Sequence, residues 1–230
     1  TTHHKLFRVW ILSMGASSST FASLVTENEI TGSAQNNAPV SAQLLQYNDF
    51  SPANDVTIFG TLPTATIYGN TGAQDVDFYS FRSGVGTAQF DIDGTRAQTD
   101  TALALFDMAG TLLAFSDDSD TPDPGSVDTK DAFLGTYTIA NAGQYLLAVS
   151  SALNFPNALL SAADFTDLLR FDGAFGGNAI GASTLGDASY FTSGLQEDMP
   201  YTLHVSLSNP VPEPYSFALL GLGLLAMSRQ

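Results

Sequence analysis

The clearest order in this chain is a two-residue alternation of apolar and polar positions, repeated in short runs. Over 88–93 (AQFDID), Phe90 and Ile92 fall on one side, and Gln89, Asp91 and Asp93 on the other. Over 144–150, Tyr145, Leu147 and Val149 share a face. Over 201–208, Tyr201, Leu203, Val205 and Leu207 alternate with Thr202, His204, Ser206 and Ser208. Side chains on a strand alternate between the two faces of a sheet, so each run predicts a strand with one dry face and one wet face. Asp91 and Asp93 fall on the wet face. Residues 56–62 predict the first strand of the set, and Asn70, Thr71 and Gly72 a turn. In FDMAGTL (106–112), Gly110 can take the positive φ of a tight hairpin, and Gly143 can do so before the next strand. Such runs, separated by Gly, Asp and Asn turns, predict an all-β antiparallel sandwich.

Three segments depart from that rhythm. In the insertion 152–199, Ser161-Ala162-Ala163-Asp164 reads as a capping box, with Phe165, Leu168 and Leu169 at helical spacing. A short helix is expected over 161–170. The Gly-, Ala- and Asn-rich stretch 171–187 has no period and predicts a long loop over one end or edge of the sandwich, of a length usual in functional or disordered loops. The N-terminal segment has basic Lys5 and Arg8, an apolar run over 9–15, then small residues. That order predicts a signal peptide, 1–23, cleaved near Ala22 or Ser23. The chain ends with Val211-Pro212-Glu213-Pro214, an apolar run over 217–227, and Arg229. The expected organisation is a signal peptide (1–23), a sandwich domain (24–209) and a terminal apolar helix (210–230).

Two of these patterns resemble known families. The order DVDFYSF (75–81), FDIDG (90–94), LALFDMAGTLLAFSDD (103–118) and YTIANAGQYLLAVS (137–150) is similar to the bacterial pre-peptidase C-terminal (PPC) domain. The resemblance implies a jelly-roll-like, non-catalytic β-sandwich carried by secreted bacterial proteins. Some members bind calcium with an E-x-E segment and strand carboxylates. Carried onto this chain, that site is Glu27, Glu29, Asp75 and Asp77. Ile30, Thr31 and Gly32 stand here where the family favours Pro, Asn and an acidic or amide residue. The C-terminal segment closely resembles the PEP-CTERM sorting signal of Gram-negative bacteria, with Val211, Pro212, Glu213, Pro214 and Arg229 as its motif residues. That resemblance implies recognition by an exosortase-type enzyme, a transmembrane helix, a precursor held transiently in the inner membrane, and a mature form at the cell surface or outside. The apolar run has 11 residues, against about 20 for a bilayer span.

Composition narrows the chemistry. The chain has 230 residues, 44% of them hydrophobic, enough for one sizeable core. It has no cysteine, which excludes disulfides, thiolate metal sites and a Cys nucleophile. Net charge is −16. Setting aside Lys5, Arg8, Arg229 and Glu213 leaves 4 basic and 22 acidic residues, a net −18 for the middle of the chain. Such a surface repels nucleic-acid phosphates and attracts divalent cations.

Asp117, Asp118, Asp120, Asp123, Asp128 and Asp131 crowd one loop. Calcium takes six to eight oxygens from carboxylates, carbonyls and water, and this loop is rich in them. Asp117, Asp118 and Asp120 form a second candidate calcium site. It is not an EF-hand, because Pro122 stands where a third ligand belongs. Beyond the signal segment with His3 and His4, His204 is the sole histidine, so a Ser-His-Asp triad would have to use it. Carboxylate pairs suited to a glycosidase are expected by chance among so many acids.

The sequence is therefore read as an exported, non-enzymatic surface or matrix protein, structural or adhesive, accompanying exopolysaccharide. The alternatives are a carbohydrate- or protein-binding module using the 152–199 loop, and a secreted hydrolase or its accessory domain.

Overall fold

A computed structural model describes residues 24–32, 35–52, 56–72, 75–95, 99–119, 122–157, 190–191 and 199–213. The alternating runs become strands in two five-stranded sheets. The first contains β1 (Leu24–Thr26), β3 (Thr64–Thr71), β12 (Met199–Leu207), β5 (Gly86–Asp93) and β8 (Phe133–Ile139), in that spatial order. The second contains β2 (Gln43–Leu44), β4 (Val76–Ser83), β9 (Gly143–Ser151), β6 (Thr101–Asp107) and β7 (Leu112–Ser116). A small ribbon pairs β10 (Phe155–Pro156) with β11 (Tyr190–Phe191). The long ladders are antiparallel. The short edge strands β1 and β2 run parallel to β3 and β4.

The all-β sandwich is as expected. One core lies between the sheets, where Ile67, Phe90, Ile92, Leu203 and Val205 of the first meet Tyr79, Phe81, Leu105, Leu147 and Val149 of the second. The second sheet also buries its other face. Phe78, Ala104, Phe106, Phe115, Leu146 and Ala148 form a separate apolar cluster there, with Ala42 and Phe155 packed against it. That explains why β4, β6 and β9 read as nearly continuous apolar runs. Gly110, with φ 79°, turns the β6–β7 hairpin.

Four local expectations need correction. Residues 56–62 form turns and bends, not a strand. Gly60 has φ 89°, which breaks an extended run. The strand comes later, as β3, and takes in Asn70 and Thr71, which were expected in a turn. The eight-pair ladder to β12 decides this, with Thr71 opposite Met199 and Asn70 opposite Pro200. Gly143 is not among the positive-φ glycines; it opens β9 opposite Ser83. The last correction concerns Asp91 and Asp93. They face away from the core, yet both are buried. The loop from β7 to β8 folds over this face of the first sheet. It returns through backbone bonds from Ile92 N–H to the Ala132 carbonyl and from Thr101 N–H to the Lys130 carbonyl.

The signal segment 1–23, the helix expected at 161–170, the loop 171–187 and the apolar run 217–227 lie outside the described residues. Among those described, no helix is long and apolar enough to cross a membrane.

Candidate functional site

The fold gathers the acidic residues into three groups. The first sits where β1 meets β3, β4 and β12. It brings together Glu27, Glu29, Asp75 and Asp77, the four residues named above from the PPC resemblance. Glu27 and Asp77 are each 0% exposed. Tyr201 Oη donates to Asp77 Oδ2 at 2.8 Å and lies 2.7 Å from Tyr79 Oη. Asn70 N–H donates to Glu27 Oε2 at 2.8 Å, and Tyr79 Oη is 3.5 Å from Glu27 Oε1. Burial pushes the Asp77 carboxyl well above the usual carboxylate range, and the Glu27 charge, a hydrogen bond shared with Glu27, and the Asp75 charge push the same way. The same pocket raises the Tyr79 and Tyr201 hydroxyls. Glu29 is raised by burial, then by the charges of Asp75 and Glu27. Burial and the neighbouring Glu27 charge thus favour the protonated form of Asp77, which sits against Tyr201 and, through it, Tyr79.

The second group is Asp100, Asp117 and Asp118. Asp117 is pushed up to about 7 by burial and the nearby Asp118 and Asp100 charges. Asp100 is pushed up to about 6 by burial and Asp118, with Lys130 pulling the other way. Asp120, the third member of this candidate site, lies outside the described residues.

The third group is one that the sequence alone does not mark as a site. Asp91 and Asp93 sit on β5, opposite His204 and Thr202 of β12. The β7–β8 loop brings Asp123 onto them. One carboxylate oxygen from each of Asp91, Asp93 and Asp123 lies within 4.8 Å of the others, the one such trio among the described residues. Burial, then the charges of Asp93 and Asp123, push Asp91 up to about 10. His204 is 2% exposed, with Nε2 3.1 Å from Asp93 Oδ2 and Nδ1 3.0 Å from Thr66 Oγ1. Nδ1 is engaged by the Thr66 hydroxyl, while Nε2 stands against the Asp93 carboxylate without a hydrogen bond. Asp131 closes the loop by accepting from Thr95 Oγ1 and, at 2.7 Å, from Val127 N–H. The only sequence signal for this group was the pair of same-face carboxylates in FDIDG. The partner loop had to be placed before that pair could be read as buried.

The C-terminal motif begins where the first sheet ends. The Ser208 and Val211 N–H groups donate to Thr87 and Arg82 carbonyls, so the chain stays against the sandwich as far as Val211. Pro212 and Glu213 follow, partly buried. Pro214 and Arg229 lie outside the described residues.

Residues 210–230 match the PEP-CTERM protein-sorting motif. Such motifs are read by exosortase-type enzymes, so the match points to an exported protein destined for the cell envelope or surface. No curated protein matches the chain. Among solved structures, a similar chain is Aeromonas hydrophila PliG, a periplasmic lysozyme inhibitor of g-type lysozyme. It is 12% identical, with a TM-score of 0.32, covering 80% of this chain and 96% of that one.

Proposed function

We propose that this protein is a non-catalytic structural or adhesive β-sandwich of the cell surface or extracellular matrix, sorted by an exosortase in an exopolysaccharide-producing Gram-negative bacterium. The observation that carries the reading is the sorting motif at 210–230, set directly after the strand β12 that closes the first sheet. In this reading the precursor is held at the inner membrane until the motif is processed. The sandwich is then left outside, where exopolysaccharide is the abundant partner. A groove of about 300 Å³ bordered by Tyr137, Asn141, Gln144 and Tyr145 gives such a polymer an aromatic and amide surface. The PPC-like architecture belongs to the same proposal. So does calcium at Glu27, Glu29, Asp75 and Asp77, or at Asp117, Asp118 and Asp120.

The test is deletion of residues 211–230 in a host that carries an exosortase. The full chain should fractionate with the envelope and then the surface, while the truncated chain should be released as a soluble protein. Identical distribution of the two would overturn the sorting reading.

A further inference from the structure

We propose that Asp91, Asp93 and Asp123 bind a divalent cation of the calcium class, which locks the β7–β8 loop onto the first sheet. Three carboxylates converging within 4.8 Å repel one another. Convergence alone does not make a site, and Asp91 supplies the second observation. It is 2% exposed, and neither of its carboxylate oxygens has a hydrogen-bond partner. Its close polar neighbours are carboxyls like itself: the Asp93 and Asp123 charges lie against it, and Asp123 is within hydrogen-bonding reach. A buried carboxylate with no donor is costly unless it is neutralised or coordinates a metal. On the loop side, Asp123 accepts from the Ser126 hydroxyl through Oδ1, leaving Oδ2 buried without a partner. Unused oxygens from strand and loop therefore face the same point.

The donor set selects the ion. All three ligands are hard carboxylate oxygens, which suit calcium, magnesium or manganese and not a soft metal. Three carboxylates leave room for the carbonyls and waters that complete calcium's shell of six to eight. His204 belongs to the layer behind the ligands. Its Nδ1 lies 3.0 Å from the Thr66 hydroxyl, and its Nε2 stands 3.1 Å from Asp93 Oδ2, packing the ring against that carboxylate. The loop backbone closes tightly on the same group. At Gly125, with φ 114°, an added Cβ would stand 2.3 Å from Asp93 Oδ2, so only glycine lets the main chain lie there. An ion at this point would join strand β5 to a loop otherwise held by the bonds of Asp131 and Lys130–Ala132.

The test uses the full chain, stripped with EDTA and titrated with calcium alone, magnesium alone or neither. Calorimetry should show calcium binding. At about 100 times its Kd, calcium should raise Tm by roughly 5 °C or more. Asp91→Asn removes one ligand charge while keeping the side chain's size. That variant should melt at or above the wild type in EDTA, because an unpaired buried acid is gone, and it should lose the calcium rise. Asp123→Asn, on the loop, gives the same readout should the β5 variant fail to fold. Glu27→Gln and Asp117→Asn should keep the calcium rise, which separates this site from the two in the proposed function. Failure of the sorting test would leave these melts unaffected. The inference is overturned if the wild type binds no calcium and melts alike in EDTA and calcium. It is equally overturned if the rise survives both Asp91→Asn and Asp123→Asn, or is lost only in Glu27→Gln or Asp117→Asn.

Discussion

At the scale of single residues, one tightly enclosed polar group is the chain Asp77–Tyr201–Tyr79–Glu27. Each member is almost wholly removed from water. Charge separation there is costly, so the group survives by passing hydroxyl hydrogens to carboxyl oxygens. Gly69 on β3 makes room for it, since a Cβ at that position would lie 2.3 Å from the Tyr201 ring. Tyr201→Phe removes the 2.8 Å donor to Asp77 Oδ2 and leaves a buried carboxyl oxygen unsatisfied. The expected loss is about 1–3 kcal/mol of folding stability, measured by urea denaturation at neutral pH. A midpoint unchanged from the wild type would show that water or a rotated Tyr79 replaces the bond without cost.

At the scale of elements, the parts legible in the sequence are those whose cause is local. Strands β5, β9 and β12 follow period two because each has a dry face, and the β6–β7 hairpin follows from Gly110. The parts that were not legible depend on distant partners. β3 was displaced to 56–62 because its apolar positions, Ala65 and Ile67, sit among threonines, and only the ladder to β12 fixes its span. Glu27 and Asp77 could be named as acidic neighbours, but the tyrosines that clamp them come from β4 and β12. Alternation places Asp91 and Asp93 on the wet face because it assigns a face without saying what covers it. The covering element is the β7–β8 loop, and its fit can be tested through Gly125. Gly125→Ala puts a methyl group into the Asp93 carboxylate at a φ that side chains rarely adopt. A cost of roughly 1–3 kcal/mol is expected. The damage should be local, with faster hydrogen exchange at Val127, whose N–H donates to Asp131, while Leu147 in the core stays protected. Unchanged protection at Val127 would mean the loop is held by something other than this close approach.

At the scale of the whole molecule, a net charge of −16 is combined with carboxyls folded into places that disfavour ionisation. The two effects act on stability in the same direction as pH rises. Asp100 and Asp117 are raised to about 6 and about 7, and Asp77 is raised well above its ordinary value. A carboxyl whose pKa is higher in the folded than in the unfolded state holds its proton longer when folded. Its stabilising contribution is complete below the unfolded value of about 4 and is lost as pH climbs through the folded value. Between pH 5 and pH 8 in EDTA, Tm should therefore fall. Surface repulsion also grows as acids ionise, but salt screens it. Raising ionic strength to about 0.5 M should remove the surface part and leave the buried part. Asp117→Asn should flatten the slope specifically around pH 6–8, since it deletes the group raised to about 7. A Tm that stays flat or rises over this range in EDTA would show that these carboxyls are ionised in the folded protein and that solvent or counterions reach them. A slope abolished by salt alone would assign the whole effect to the acidic surface.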